Sequence, residues 1–171
     1  MSKIILYIAT SQDGFIADTQ GNVDWLPEPK NSNDLEVVGY NQLMKQIDTI
    51  AMGHNTYEKI LTFGDWGWPN KQTFVFTFEP LITQLDCIKF TSDPPKVWFE
   101  KLNNKKDIWL MGGAKLAQSF AKDDLIDEII LTIVPQKLGQ GIALDLSWKD
   151  FNLKEKKQLM DGMVQKIYSK Q

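Results

Sequence analysis

The chain has 171 residues, the size of one domain, and its 43% hydrophobic and 24% charged residues form an ordinary globular mixture that excludes a disordered or collagen-like polypeptide. Its formal charge of -3, from 22 acids against 19 lysines and no arginine, argues against a nucleic-acid partner, which needs a concentrated basic face. One histidine and one cysteine exclude a His/Cys zinc site and an internal disulfide, and no run reaches the ~18 apolar residues that span a bilayer.

The first ten residues run straight into a strand pattern without a small-residue cleavage site, so a cytoplasmic protein with no membrane partner is expected. Ile4 to Thr10 reads as a strand that enters the turn Ser11-Gln12-Asp13-Gly14. From Asn33 the spacing becomes helical, with Leu35, Val38, Leu43 and Met44 on one side, and predicts one helix before the strand Ile50-Ala51-Met52. Gly53 closes that strand, His54 to Leu61 reads as a helix, and the loop from Phe63 to Pro69 ends it. Thr73 to Thr77 and Cys87 to Phe90 are strand-like, and Cys87 is expected to be a buried small hydrophobe. Ser92 is the predicted cap of a helix with Pro94 and Pro95 in its first turn that runs to about Asn103. The strand Ile108 to Met111 leads through Gly112-Gly113 into a helix from Ala114 to Ala121, and Ile129 to Val134 is the longest apolar run. Phe151 to Met160 and Met163 to Tyr168 alternate around Asp161-Gly162, which predicts an antiparallel hairpin.

This order predicts a single α/β domain over 1–171, with a mostly parallel sheet, helices on both faces and an antiparallel edge. Such sheets bind ligands beyond the carboxyl ends of their strands. Two strand exits there share one design: Met52-Gly53-His54-Asn55-Thr56 and Met111-Gly112-Gly113-Ala114-Lys115. Each puts free backbone N–H groups and the positive end of a helix dipole where a phosphate could lie, although glycine between strand and helix is also ordinary turn chemistry. Neither is a G-x-G-x-x-G fingerprint, and the chain contains no P-loop and no G-x-S-x-G elbow.

In order, the chain carries Ser11-Gln12-Asp13-Gly14-Phe15-Ile16-Ala17, Asp24-Trp25-Leu26, Met52-Gly53-His54-Asn55-Thr56-Tyr57-Glu58, Met111-Gly112-Gly113, and Leu125-Ile126-Asp127-Glu128 followed by Pro135 and Leu138-Gly139-Gln140-Gly141. From about Lys3 to Leu144 this series resembles the dihydrofolate reductase superfamily, in the branch related to the reductase domain of bacterial riboflavin biosynthesis. The resemblance implies an NADPH-dependent reductase, a central, mostly parallel sheet of about eight strands, and a homodimer. It implies that Ala9 faces the nicotinamide, that Ile16 belongs to the loop covering it, and that Gly53, His54, Asn55 and Thr56 hold the adenosine-side phosphates. Gly112, Gly113, Ala114 and Lys115 then lie against the pyrophosphate and Thr77 near the adenine ribose. Asp24, Trp25 and Thr132 fall on the substrate side.

Departures from the family pattern bear on chemistry. His54 stands where the family commonly has an arginine for the 2′-phosphate, and unlike arginine a histidine is not always charged near neutral pH. Phe78 and Glu79 follow Thr77, and a carboxylate there repels a 2′-phosphate while accepting a bond from a ribose hydroxyl, so both NADPH and NADH stay open. Lys71 falls where folate reductases use an arginine fork, which makes folate a weak guess. Asp34, Glu36 and Glu58 are the candidate proton donors, with Asp24 a further one; Asp34 also fits a plain helix N-terminal acid. The expected function is hydride transfer from a nicotinamide dinucleotide to a small heterocycle such as a pterin, a pyrimidine or a flavin-like compound. Two alternatives stand beside it: a catalytically inactive nucleotide-binding domain of the same fold, and a true dihydrofolate reductase.

Overall fold

Ile4–Ser11 (β1) opens with three fully buried aliphatic residues in a row, the pattern of a central strand covered on both faces. In the computed structural model, which describes residues 2–79 and 81–171, β1 lies inside an eight-stranded sheet. The strands are numbered in chain order. Phe15–Ala17 is β2, Ile47–Gly53 is β3, Gln72–Phe76 is β4, Ile88–Thr91 is β5, Asp107–Gly112 is β6 and Glu128–Val134 is β7; Ile142–Ala143 is β8, Phe151–Gln158 is β9 and Val164–Lys170 is β10. The large sheet has the order β5-β4-β3-β6-β1-β7-β10-β9, while β2 and β8 form a separate two-stranded sheet. Strands β5 to β7 of that order are parallel, and β10 and β9 add the antiparallel edge.

The helices are Ser32–Val37 (α1), Tyr40–Gln46 (α2), His54–Leu61 (α3), Pro95–Lys101 (α4) and Ala114–Lys122 (α5). Alternate residues of each strand point to opposite faces, and two cores result. Ile4, Leu6, Ile108 and Leu110 pack with Trp98 of α4 and Ala117 and Phe120 of α5. Ile5, Ile50, Met52 and Trp109 pack with Leu43 of α2 and Tyr57 of α3. Edge strand β9 is almost wholly exposed, and its Lys-Glu-Lys-Lys run discourages further strand pairing.

The helix predicted from Asn33 to Met44 is in fact two. Gly39, at φ 79°, ends α1 in the left-handed region and starts α2, although the apolar spacing continues across it. The α4 helix is capped by Pro94 with Pro95 in its first turn, not by Ser92, and stops at Lys101. Cys87 is half-buried rather than a core residue. The predicted hairpin is present: Asp161 (φ 55°) and Gly162 (φ 75°) both take left-handed conformations, and the Met163 N–H bonds to the Met160 carbonyl at 3.1 Å. Among the described residues no helix is long and apolar enough to cross a membrane.

Phe120 is fully buried, 5.6 Å from the Phe76 ring and 5.9 Å from the Trp98 ring. Phe120→Ala is expected to lower stability by about 3–5 kcal/mol, read by urea denaturation. A loss below about 1 kcal/mol would mean that α5 is not a principal cover of this face.

Candidate functional site

The parallel register of β3 and β6 sets Met52 beside Gly112, so the two glycine exits emerge next to each other at the carboxyl edge of the sheet. Gly53 is the N-cap of α3 and Gly113 the N-cap of α5, and neither cap is closed by a side chain. Gly112 has φ 114°, a conformation that L side chains rarely adopt, and the Gly112–Gly113 peptide is cis. A Cβ on Gly113 would lie 3.6 Å from Thr56 Oγ1 and 3.8 Å from Ile16 Cδ1, and one on Gly53 would lie 3.8 Å from the Gly113 nitrogen. Side chains at these glycines would therefore fill a cradle walled by Thr56, Ile16 and the two backbones. Its backbone donors and helix N-termini suit an anionic group.

His54, the first residue of α3, reaches toward β4. Its Nδ1 is 2.8 Å from Thr77 Oγ1, and Nε2 is 3.1 Å from Glu58 Oε1 and 3.9 Å from Glu79 Oε2. The backbone N–H of Glu79 donates to Thr77 Oγ1 at 3.0 Å.

On the other side of the cradle, β1, β7 and β10 place Ala9, Thr132 and Gln165 in one row of the sheet. A cavity of about 190 Å³ opens above that row, walled by Ala9, Thr132, Glu28, Asp34, Met160 and Asp161 among others. Asp34 sits in the first turn of α1, where Asn31 Oδ1 accepts its N–H and its own Oδ2 accepts the Lys30 N–H at 2.7 Å. Buried Gln165 donates through Nε2 to Thr132 Oγ1 at 3.1 Å and to the Val38 carbonyl at 2.9 Å. The Tyr7 hydroxyl donates to the same carbonyl at 3.0 Å, and burial, with Tyr40 nearby, pushes its pKa well above the ordinary phenol value. Lys30 Nζ pairs with Asp161 at 3.1 Å, tying the loop before α1 to the β9–β10 turn across the cavity.

A loop joins cradle and cavity. Asp13 accepts bonds from the Ser11 hydroxyl at 2.6 Å, the Gly139 N–H at 2.8 Å and the Leu138 N–H at 3.1 Å. These donors, led by Ser11, hold the Asp13 carboxyl at about 2, below its ordinary value. Gly141 packs so closely on the Ala17 carbonyl and the Phe15 side chain that any Cβ would collide with them.

The structure thus gathers the sequence-derived candidates into three groups. Ile16, Gly53, Thr56, Gly112 and Gly113 meet at the cradle, with Ala114 and Lys115 opening α5 beside it and exposed Asn55 in the first turn of α3. His54 and Thr77 meet at the end of β4. Ala9, Asp34 and Thr132 meet at the cavity. Of the carboxylates, Glu36 is exposed and accepts from Asn41 Nδ2, and Glu58 faces His54, so Asp34 is the one proton-donor candidate of the three that lines the cavity. Asp24 is exposed; Trp25 precedes the wall residue Leu26, and its buried indole N–H has no partner among the described residues. Lys71 does not reach the cavity wall: its ammonium donates to the Met44 and Ile47 carbonyls at 2.7 and 2.6 Å, at the end of α2, and burial lowers its pKa. Sequence reasoning missed Tyr7, Glu28, Asp161 and Gln165, which come together only through long-range packing. The His54–Glu58 pair, by contrast, was available from i,i+4 helix spacing.

Residues 70–163 match the model of the family described as the RibD C-terminal domain. The chain is 38% identical over 146 residues to the uncharacterized protein YwjB of Bacillus subtilis (strain 168), an alignment covering 83% of this chain and 82% of that one. The solved structure of a candidate riboflavin biosynthesis protein from Shewanella sp. PV-4 matches with a TM-score of 0.80 at 30% identity, over 100% of this chain and 99% of that one. A dihydrofolate reductase from Enterococcus faecalis, complexed with NADP(H) and RAB-propyl, matches with a TM-score of 0.70 at 15% identity, over 98% of this chain and 96% of that one. The eight-stranded sheet is therefore a dihydrofolate reductase-like fold.

Because the Asp13 pKa is lowered in the folded protein, its contribution to holding the 138–139 segment is fully present above the ordinary value of 3.8 and is lost as pH falls toward about 2. Asp13→Asn is expected to reduce hydrogen-exchange protection at Leu138 and Gly139 at neutral pH. Unchanged protection at both amides would remove Asp13 as the anchor of this loop.

Proposed function

We propose that this chain, which belongs to the RibD C-terminal domain family, is a reductase that binds a reduced nicotinamide dinucleotide and transfers its hydride to a small heterocycle in the cavity beside β1. The observation carrying this reading is the adjacency of two uncapped helix N-termini, Gly53–His54 and Gly113–Ala114, with a cavity that begins at β1, the strand next to β6. The residues fit a dinucleotide: the Gly53 and Gly113 cradle, which a Cβ would fill, suits the pyrophosphate, with Thr56 and Ile16 as its side walls. Ala9 and Ile16 would flank the nicotinamide, and His54 and Thr77 the adenosine ribose. The family resemblance implies NADPH as cofactor, and His54 and Glu79 keep NADH open beside it. When bound, the reduced nicotinamide supplies the hydride.

The protein's own part is positioning and proton supply. Ala9 lacks a bulky side chain, so a flat ring can approach the β1 backbone. Because Gln165 Nε2 occupies one acceptor site of Thr132 Oγ1, the Thr132 hydroxyl keeps its proton to donate to an acceptor in the cavity. Asp34 is the group we assign to deliver the proton that balances hydride addition to a C=N bond, the hydride going to carbon and the proton to nitrogen. Met160 and Met163 give the wall adaptable apolar surface that suits a pterin, pyrimidine or flavin-like ring. A true folate reductase is the less supported reading, because Lys71 is engaged at the end of α2.

Gly113→Asp is expected to abolish dinucleotide binding in a fluorescence titration by placing a side chain and a negative charge in the cradle. Unchanged affinity would sink the cofactor reading. Asp34→Asn is expected to lower turnover by roughly 10²-fold or more while the dinucleotide Kd stays put. Undiminished turnover would reassign proton delivery to another group.

A further inference from the structure

We propose that the ribose subsite at the end of β4 is built for a free 2′-hydroxyl and against a 2′-phosphate, so that the protein prefers NADH to NADPH. The inference rests on the dinucleotide reading above. With the pyrophosphate between the exits of β3 and β6 and the reacting ring on the β1 side, the second nucleoside extends the other way, toward β4, the neighbour of β3. At that edge stand His54, Thr77, Glu58 and Glu79.

Hydrogen-bond accounting at His54 leaves little for a phosphate. Thr77 Oγ1 accepts the Glu79 N–H and has its hydroxyl proton to give to His54 Nδ1. The tautomer that receives this proton carries its own on Nε2, which faces Glu58 at 3.1 Å. Both ring nitrogens are then engaged within the protein, and two carboxylates rather than cations flank the ring. Recognition of a 2′-phosphate calls for a guanidinium fork or an ammonium opposite a group carrying about -1.5 to -2 charges. The chain has no arginine, and among the described residues neither Glu58 nor Glu79 is paired with a lysine.

A ribose hydroxyl, by contrast, is a donor that a carboxylate accepts. Glu79 is suited to this: its side chain is 71% exposed, and the His54 ring nitrogen Nε2 lies 3.9 Å from its carboxylate. Solvent screens its repulsion of a phosphate, so discrimination comes from repulsion together with the missing guanidinium and the gained hydroxyl bond. Between Thr77 and Glu79, Phe78 holds its ring 93% exposed, an apolar face on which an adenine stacks whichever cofactor carries it.

The test is a titration of the full chain with NADH and with NADPH, read by nicotinamide fluorescence at one pH and salt concentration. NADH is expected to bind at least about tenfold more tightly. Glu79→Gln is expected to narrow that ratio, Glu79→Lys to reverse it, and Phe78→Ala to weaken both dinucleotides alike. NADPH binding as tightly as NADH, or a ratio that Glu79→Lys leaves unmoved, overturns this inference with the reductase reading intact. Binding of neither dinucleotide overturns both.

Discussion

The parallel hydrogen-bonded register of β3 and β6 aligns Met52 with Gly112, and from that point the chain leaves the sheet twice in opposite directions. Tyr57 of α3 packs on the face that carries Ile50 and Met52; Ala117 and Phe120 of α5 pack on the face that carries Ile108 and Leu110. Two helices can begin side by side only because they cover different faces. Their uncapped first turns therefore point their N–H groups into one space, which the glycines keep free of side chains. Shifting the register or adding a Cβ at Gly113 would disturb the helix starts, the cradle and the contact with Ile16 together.

The rest of the site is arranged around this pair of exits by tethers that start far away in the chain. Val38, at the end of α1, is held by Tyr7 from β1 and Gln165 from β10, which fixes the wall carrying Asp34. Lys30 and Asp161 join the same wall to the hairpin turn, and Asp13 joins the loop bearing Ile16 to residues 138 and 139. Each tether is polar: the Lys30–Asp161 pair and the Asp13 bonds lie at the surface and the Tyr7 and Gln165 bonds deeper, whereas the sheet beneath is held by two aromatic and aliphatic cores.

Elements governed by local pattern were legible in the sequence. The apolar runs of β1, β3, β6 and β7, the Asp-Gly turn and the glycine exits all carry their signal within a few residues. Features decided by single backbone angles or by distant partners were not. Gly39 interrupts a helix whose apolar spacing runs on unbroken, and the two- and three-residue strands β8 and β2 are too short to show any period. Glu28 and Asp161 share a cavity through the return of a hairpin more than a hundred residues away, which no local window contains. Alignment of Lys71 with a ligand-binding arginine made folate a weak guess, but it says nothing of the two helix-end carbonyls that claim its ammonium.

The missing arginines thus acquire a structural setting. At the end of β4 an imidazole is shared among a hydroxyl and two carboxylates, and at the end of α2 an ammonium closes a helix. Neither residue is part of the cradle, which is made by the Gly53 and Gly113 backbones with Thr56 and Ile16. The most direct measurement is a crystal structure of the full chain grown with NADH. The account predicts the pyrophosphate against the Gly53 and Gly113 amides, the nicotinamide between Ala9 and Ile16, and the ribose hydroxyls facing Glu79; a dinucleotide bound elsewhere, leaving the two helix N-termini free, would contradict it.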